Sequence, residues 1–413
     1  GQKQLENPDV RLELVNKVVN GRIKADQGIV AGCAGGTLEN VSAMAQILKQ
    51  KSIGNEFFSL SVYPASQAVN VALMANKSIE ELMLAGAVIR TAFCGPCFGA
   101  GDVPANNGFS IRHTTRNFAN REGSNPDIGQ IASVALMDAR SIAATALNGG
   151  VLTPATEFAD VLKPVEYTFN PEVYEKRVYQ GFGKAKPEEE LVFGPNITSW
   201  PTIRKMPENL LLKIASVIYD PVTTTDELIP SGEASSFRSN PQKLAEFTLC
   251  RKDPGYVGRA KAVREIETMR QEGKANDEVA QYFKGAFGDA NADMFANTGV
   301  GTILFAIKPG DGSAREQAAS CQRVLGGDAN IAIEYATKRY RSNLINWGML
   351  PFTIEPSEQE KISLDAYVYI PNIRETLASG AAEIKADIIA DGKTTPINLK
   401  LENLSADDRK IIL

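Results

Sequence analysis

Three cysteines have the local sequence of a metal or iron-sulfur site. Cys94-Gly95-Pro96-Cys97 places two thiols on a tight bend, and Cys33 follows a short apolar run. Thiolates bind iron-sulfur clusters and soft metals, so three that meet at the edge of a sheet would suit either group. A site with three thiolates leaves one iron open, as Lewis-acid chemistry on a substrate hydroxyl requires.

Other chemistries share parts of this pattern. A CxxC pair by itself is also typical of a thioredoxin-like redox pair, of half a zinc site, or of buried structural thiols. A structural zinc needs a fourth ligand, and the remaining cysteines, Cys250 and Cys321, lie far along the chain in helical patterns that predict core residues. Because His113 is the only histidine, a Ser-His-Asp triad elsewhere and most zinc enzymes are excluded.

The elements that must position these thiols alternate between strand and helix. Strands are predicted over 28–32, 57–62 and 88–93, and helices over 37–50 and 133–148. This alternation predicts a parallel sheet covered by helices, in which ligands gather just beyond the carboxyl ends of the strands. Cys33 and Cys94 each follow a predicted strand.

A second unit is predicted beyond a linker. The stretch 169–199 is rich in Pro, Gly, Glu and Lys and has no sustained period. After it we predict a mixed α/β unit with strands over 210–218 and 302–308 and near 330, 365, 385 and 397, and helices over 259–281 and 313–325. The predicted organisation is a domain over 1–165, a linker over 166–200 and a domain over 201–413.

Composition is that of an ordinary globular protein. The 413 residues are 43% hydrophobic and 23% charged, and the net charge of -5 disfavours polyanion partners. No apolar run approaches the about 20 residues of a membrane span, and five scattered cysteines do not form a disulfide framework. The expected location is the cytoplasm or an organelle matrix. The start at Gly1-Gln2-Lys3 rather than Met is typical of a piece of a longer protein.

Several segments, in the same order along the chain, resemble motifs of the aconitase superfamily. They run from Cys33 to Pro351, and the resemblance covers essentially the whole chain. They are Val30-Ala31-Gly32-Cys33, Phe93-Cys94-Gly95-Pro96-Cys97-Phe98-Gly99, the arginine segment 115–123, Thr224-Thr225-Asp226 with Arg238, Gly312-Ser313-Ala314-Arg315-Glu316, and the segment 343–351.

The resemblance implies a fold and an activity. It implies an aconitase-type three-layer α/β domain with a parallel-rich sheet, then a linker and a swivelling mixed β/α domain. The implied activity is that of an iron-sulfur hydro-lyase, which reversibly dehydrates and hydrates a hydroxy di- or tricarboxylic acid. No motif of the family's first two domains is present, so the chain is expected to be a C-terminal part, inactive without the N-terminal domains as partners.

The resemblance also implies roles for single residues. Cys33, Cys94 and Cys97 would hold a 4Fe-4S cluster, although the shortened chain leaves its retention open. Ser313 would be the general base, and the substrate would be bound by Arg116, Arg121, Arg238, Arg315 and Asp226. Guanidinium groups match carboxylates as bidentate partners.

The local sequence supports Ser313 as the general base. Ser313-x-x-Glu316 is a capping-box pattern, which predicts Ser313 at a helix N-terminus where an anion is favoured. Arg315 would add a nearby positive charge. For Ser313, the alternative is a plain N-cap. His113 is predicted to be a loop histidine hydrogen-bonded to the backbone rather than an acid.

Departures from the family pattern bear more on the identity of the substrate than on the binding of the cluster. Ala314 replaces the second serine of the loop, Glu227 replaces a histidine, Thr115 stands where many members have Asn, and 34–36 lack the usual Thr-Asn-Ser. We therefore predict a divergent hydratase subgroup. Two alternatives stay open, an RNA-binding aconitase-like regulator, which the net charge disfavours, and a non-catalytic iron-sulfur protein.

Overall fold

The protein divides into two compact units, 1–189 and 190–413. The structure is a computed structural model that describes residues 14–115, 120–125, 128–230, 232, 234–273, 277–288 and 292–413. The division falls inside 166–200, the predicted linker, while the domain bounds stay a prediction. Within the described ranges, no helix combines the length and apolar character needed to cross a membrane.

The first unit is built on a parallel sheet, as predicted. Its five strands lie in the order β5-β4-β3-β6-β7, and every neighbouring pair is parallel. A separate two-stranded antiparallel ribbon, β1-β2, precedes the sheet. The strands are β1 Val18–Val19, β2 Arg22–Ile23, β3 Gln27–Val30, β4 Ser59–Val62, β5 Val88–Ile89, β6 Gly108–His113 and β7 Ala132–Leu136.

Short helices connect these strands. The α-helices are α1 Gly32–Gly35, α2 Leu38–Leu48, α3 Gln67–Ala75, α4 Ser78–Ala85, α5 Ala139–Leu147 and α6 Glu172–Glu175, and 3-10 turns lie at Leu14–Lys17, Gly95–Cys97 and Ala155–Val161. Helices α2 and α5 pack against one another. Apolar side chains such as Met44 and Ile142 fill the space between helices and sheet.

One predicted helix of this unit was wrong in its first half. Residues predicted as the start of a helix over 133–148 belong to strand β7, which pairs with β6. The helix starts at Ala139, where the Asp138 side chain accepts a hydrogen bond from the Arg140 amide at 2.9 Å. Pairing with a buried strand outweighs local helical periodicity here.

The second unit is a closed barrel of seven strands in the order β10-β12-β13-β16-β15-β14-β8. Pairs among β8, β10, β12 and β13 are parallel and the remaining pairs are antiparallel, so the predicted mixed α/β class is confirmed. The barrel strands are β8 Asn209–Ile218, β10 Thr298–Ala306, β12 Gly327–Ala332, β13 Leu350–Thr353, β14 Tyr367–Ile370, β15 Glu383–Ala390 and β16 Lys393–Lys400. Two further strands of this unit, β9 Thr223–Thr224 and β11 Pro309–Asp311, form a separate parallel pair. Inward-facing residues such as Ile303 and Phe352 form its core.

Helices cover the outside of the barrel. They are α7 Thr225–Leu228, α8 Pro241–Ala245, α9 Tyr256–Gln271, α10 Asp277–Phe287, α11 Ala292–Asn297, α12 Arg315–Val324, α13 Lys338–Asn346, α14 Ile373–Ala378 and α15 Ala406–Ile412, with 3-10 turns at Ser235–Phe237 and Pro356–Lys361. The single helix predicted over 259–281 is thus two helices. Cys321 is a core residue, as predicted, whereas Cys250 lies in a turn rather than a helix.

Candidate active site

The thiol site of the first unit lies beyond the carboxyl end of strand β3. Cys33 is in helix α1, and Gly32 before it has a left-handed φ of +73°. A Cβ atom on Gly32 would lie 3.1 Å from the Cys97 sulfur. The Cys97 side chain therefore packs against the backbone beside Cys33, and the structure brings these two predicted ligands together.

The third predicted ligand shares a turn with Cys97. The Cys97 amide donates a hydrogen bond to the Cys94 carbonyl at 2.9 Å, which closes the 3-10 turn Gly95–Cys97. Cys33 and Cys94 are exposed and Cys97 is half-buried. We call residues 94–102 the cysteine loop. The strand before this loop ends at Ile89, not at 93 as predicted, so Cys94 lies in the loop beyond the strand end.

A close approach of two glycines joins the cysteine loop to the arginine segment. A Cβ atom on Gly99 would lie 2.8 Å from the Gly123 backbone nitrogen, and both glycines have left-handed φ angles. On this crossing, the Arg121 Nε donates to the Cys97 carbonyl. The structure thus brings Arg121 to the thiol site, while its substrate role stays a prediction. Arg116, the other predicted arginine of the segment, lies outside the described residues.

His113 has the backbone contact that the sequence predicted. Its Nδ1 accepts a hydrogen bond from the Ala139 amide at 3.0 Å, at the start of helix α5. The residue ends strand β6 rather than lying in a loop. The histidine therefore serves to join the sheet to helix α5.

Sequence reasoning missed a buried polar cluster beneath the cysteine loop. Arg112 is only 2% exposed, and burial lowers its pKa to about 10 against the opposing charges of Glu122 and Asp102. Tyr63 donates a hydrogen bond to Asp102 at 2.6 Å, and burial followed by this bond raises the pKa of Tyr63 to about 12. The available signal was a charged residue inside the otherwise uncharged run Gly108–His113.

The donor set of the thiol site suits a multinuclear iron group. Among the described residues, no three His, Cys, Asp or Glu side chains gather tightly enough to hold a single metal ion. In a 4Fe-4S cluster each thiolate binds a different iron, so its cysteines need not converge on one point. The Cys97 sulfur lies against Gly32, the neighbour of Cys33, and Cys94 lies on the same turn as Cys97, an arrangement that fits such a group.

In the second unit, paired strands bring two predicted motifs together. Strand β9 pairs with β11 in parallel, and Thr224 lies opposite Asp311. Just beyond this pair, the Thr225 Oγ1 accepts a hydrogen bond from the Ala314 amide at 3.2 Å. We call residues 312–314 the serine loop. Thr225, which belongs to the predicted Thr224-Thr225-Asp226 motif but was not predicted as a site residue, anchors this loop, and Ser313 is exposed on it.

The predicted capping box at Ser313 was wrong. Helix α12 begins at Arg315, and its N-cap is Ala314, whose side chain makes no capping hydrogen bond. The Ala314 amide is already bound to Thr225, and the helix starts two residues after Ser313. Glu316, the expected partner, instead accepts a hydrogen bond from the Trp347 indole at 3.2 Å.

A capping box does form in the neighbouring motif. The Thr224 Oγ1 accepts from the Glu227 amide at 3.2 Å, and the Glu227 carboxylate accepts from the Thr224 amide at 2.8 Å. Glu227, one of the departures from the family pattern, therefore stabilises the first turn of α7. A glutamate at this position is explained by the capping box, in which its carboxylate takes part.

The charged residues near the serine loop are held by contacts of their own. The Arg315 Nη1 donates to the Gly312 carbonyl at 2.8 Å, which ties the guanidinium to the serine loop. Asp226, next to Thr225 in α7, lies 3.6 Å from the Arg251 guanidinium. Arg238 is exposed after the 3-10 turn Ser235–Phe237, and its place at the site stays a prediction.

Substituting Gly312 with alanine should destabilise the second unit. Its φ is +132°, and a Cβ atom would lie 2.2 Å from the Thr225 Oγ1, so the serine loop must shift. We expect a loss of about 1–3 kcal/mol in the free energy of unfolding, measured by urea denaturation. Gly258, inside helix α9 with open space around its Cα, is the matched control. Gly258→Ala should gain about 0.5–1 kcal/mol. Equal stability of the two variants would contradict this role of Gly312.

Comparison with known protein families finds a match in each unit. Residues 2–144 match the Aconitase family (aconitate hydratase), and residues 262–357 match the Aconitase C-terminal domain. The first match contains all three candidate cysteine ligands, and the second contains the serine loop. Together they cover more than half of the chain. The chain belongs to the aconitase superfamily.

Individual relatives match either about a third of the chain or nearly all of it. The chain is 31% identical over 140 residues to the 3-isopropylmalate dehydratase large subunit of Helicobacter hepaticus, covering 34% of this chain and 32% of that protein. The corresponding subunit of Moorella thermoacetica is 34% identical over 135 residues, covering 32% and 31%. A protein of Emericella nidulans with the name of a mitochondrial aconitate hydratase is 24% identical over 412 residues, covering 94% of this chain and 49% of that protein.

These relatives are longer than the chain. It spans about a third of the dehydratase subunits and about half of the Emericella nidulans protein. A crystal structure of a 3-isopropylmalate dehydratase from Methanocaldococcus jannaschii matches 49% of this chain and 87% of that chain at 19% identity, with a TM-score of 0.31.

Proposed function

We propose that the chain is the C-terminal part of an iron-sulfur hydro-lyase that reversibly dehydrates and hydrates a hydroxy di- or tricarboxylic acid. The observation that supports this most is the packing of Cys97 against Gly32 beside Cys33, within the segment that matches the aconitase family. A reducing compartment such as the cytoplasm suits free thiols of this kind.

Cys33, Cys94 and Cys97 would hold a 4Fe-4S cluster. When bound, this group supplies a Lewis acid that draws the hydroxyl from the substrate. The cysteine loop, fixed by its own turn and by the contact with Arg121, holds two of the ligands in a defined conformation. Preformed ligand geometry reduces the ordering cost of binding.

Ser313 would act as the base that removes a proton from the carbon next to a substrate carboxylate. A serine hydroxyl needs stabilisation of its alkoxide for this role. Ser313 is exposed just before the N-terminus of α12, and Arg315 is tied to the same loop through the Gly312 carbonyl. A fixed positive charge and the helix N-terminus both favour an anion there.

The arginines would bind the carboxylates of the substrate. Arg116, Arg121, Arg238 and Arg315 carry this role by resemblance, with Asp226 completing the binding residues. A guanidinium binds a carboxylate through two parallel hydrogen bonds, which fixes its orientation as well as its position. N-terminal domains of a longer protein would close the remaining side of the site.

The test combines iron analysis with a substrate panel. After anaerobic reconstitution, the chain should contain iron and sulfide in equal amounts and absorb visible light. A longer protein that includes the N-terminal domains should hydrate or dehydrate one of citrate-like, homocitrate-like, isopropylmalate-like or methylcitrate-like acids, while the 413-residue chain alone should show little turnover. An iron-free, colourless chain, together with no turnover by the longer protein, would overturn the proposal.

A further inference from the structure

A buried guanidinium links the cysteine loop to the sheet beneath it. Arg112 belongs to strand β6, and its side chain donates to two carbonyls of the loop, those of Pro96 at 2.9 Å and Asp102 at 2.8 Å. The same side chain donates to Ser110 at 3.0 Å and to Gln27 at 3.3 Å, on strands β6 and β3. One side chain therefore joins the loop, near each of its ends, to the centre of the sheet.

Burial of this cation is costly unless something compensates for it. A charge removed from water loses several kcal/mol of solvation, and the lowered pKa of Arg112 reflects this loss. The loop carbonyls, Ser110 and Gln27 satisfy the guanidinium with fixed acceptors. A lysine ammonium lacks the planar fork that reaches both loop carbonyls at once.

The surroundings of the Arg112 guanidinium explain why a positive charge lies beneath the thiols. The carboxylates of Asp102 and Glu122 lie close to Arg112, and so does the Cys97 thiol. A cluster held by three thiolates brings further negative charge to this place. A cation fixed below the cysteine loop therefore suits an anionic group above it better than an apolar side chain would.

We propose that Arg112 is a positioning residue of the thiol site, which clamps the cysteine loop so that Cys94 and Cys97 face the same group as Cys33. The inference rests on the proposed function for the identity of that group. The clamp itself can be tested without iron, so the two proposals can fail separately.

The first measurement is hydrogen exchange on the metal-free chain. In Arg112→Gln, amides in the peptide covering 94–102 should exchange about ten- to a hundredfold faster, because the charged hydrogen bonds to the Pro96 and Asp102 carbonyls are lost. The peptide covering 38–48, in helix α2, should be unchanged. Arg140→Gln is the matched control, since Arg140 pairs with Glu39 at 2.8 Å and Asp138 at 3.2 Å on the first unit.

The second measurement is an anaerobic titration with Cd²⁺ alone, followed by thiolate-to-cadmium absorption. Arg112→Gln should weaken binding by about 10- to 100-fold, the usual effect of removing a supporting residue around a metal site, and Arg140→Gln should match the wild type. Arg112→Lys keeps the charge without the fork and should lie between the two. If Arg112→Gln does not fold, the lysine variant decides the matter.

The results of these measurements distinguish a failure of the clamp from a failure of the proposed function. Wild-type exchange over 94–102 with wild-type Cd²⁺ affinity, in either Arg112 variant, would overturn the inference. Faster exchange over 38–48 to the same extent would also overturn it, since Arg112 would then only support the fold. If the wild-type chain takes up no iron and the longer protein shows no turnover, but the loop and Cd²⁺ respond as expected, the clamp stands and the proposed function fails.

Discussion

Ser313→Ala should lower kcat by about 10²–10⁴-fold in a protein that joins this chain to the proposed N-terminal domains. Removing the hydroxyl removes the group that we propose accepts the substrate proton. The backbone should hold, because the Ala314 amide bond to Thr225 and the Arg315 bond to the Gly312 carbonyl do not use the serine side chain. KM and iron content should therefore change little, and steady-state kinetics with iron analysis would measure all three.

The control for this variant is a serine with no place at the site. Ser342 is exposed in helix α13, where its hydroxyl donates to the Lys338 carbonyl at 2.9 Å. Ser342→Ala should turn over at the wild-type rate. If Ser313→Ala did the same, Ser313 could not be the base, and the assignment of the serine loop to catalysis would have to be abandoned.

The parallel sheet and the position of Cys33 could be predicted from the sequence. Strands β3 and β6 are short and almost wholly buried, and buried strands alternating with amphipathic helices are typical of parallel sheets. Because Cys33 comes soon after strand β3 in the sequence, its place beyond the strand end could be predicted as well. Strand β5 is only Val88–Ile89 at the edge of the sheet, so residues 90–93 were wrongly predicted as its continuation.

The two capping-box patterns show what cannot be predicted from the local sequence. Ser313 with Glu316 and Thr224 with Glu227 have the same pattern, yet only the second forms. The difference is a contact between residues far apart in the chain, the bond from Ala314 to Thr225. No local pattern contains that contact.

The barrel and Arg112 were beyond sequence reasoning for a related reason. The strand pairs β8-β14 and β13-β16, which close the barrel, join segments that are distant in the chain. In the sequence, Arg112 is a charged residue that interrupts an otherwise uncharged strand. Its acceptors, the carbonyls of Pro96 and Asp102, lie in a loop that precedes the strand. A buried charge in a strand indicates that a partner exists but does not identify it.

Cys97→Ser should abolish iron-sulfur binding by the 413-residue chain. The hydroxyl is close in size to the thiol, so the packing against Gly32 should persist, but oxygen is a much harder ligand than a thiolate. We expect bound iron to fall by at least about tenfold after anaerobic reconstitution, since changes even outside the ligand set cost 10- to 100-fold. Iron and sulfide analysis with the visible spectrum would measure the loss.

Cys250→Ser is the matched control for this variant, because Cys250 lies in a turn of the second unit and is half-buried. It should bind as much iron as the wild type. Cys321 would be a poorer control, since its thiol is buried in the core and a polar hydroxyl there costs stability. Undiminished iron in Cys97→Ser would remove Cys97 from the ligand set. Equal losses in both variants would mean that the iron is bound by thiols non-specifically rather than at the end of strand β3.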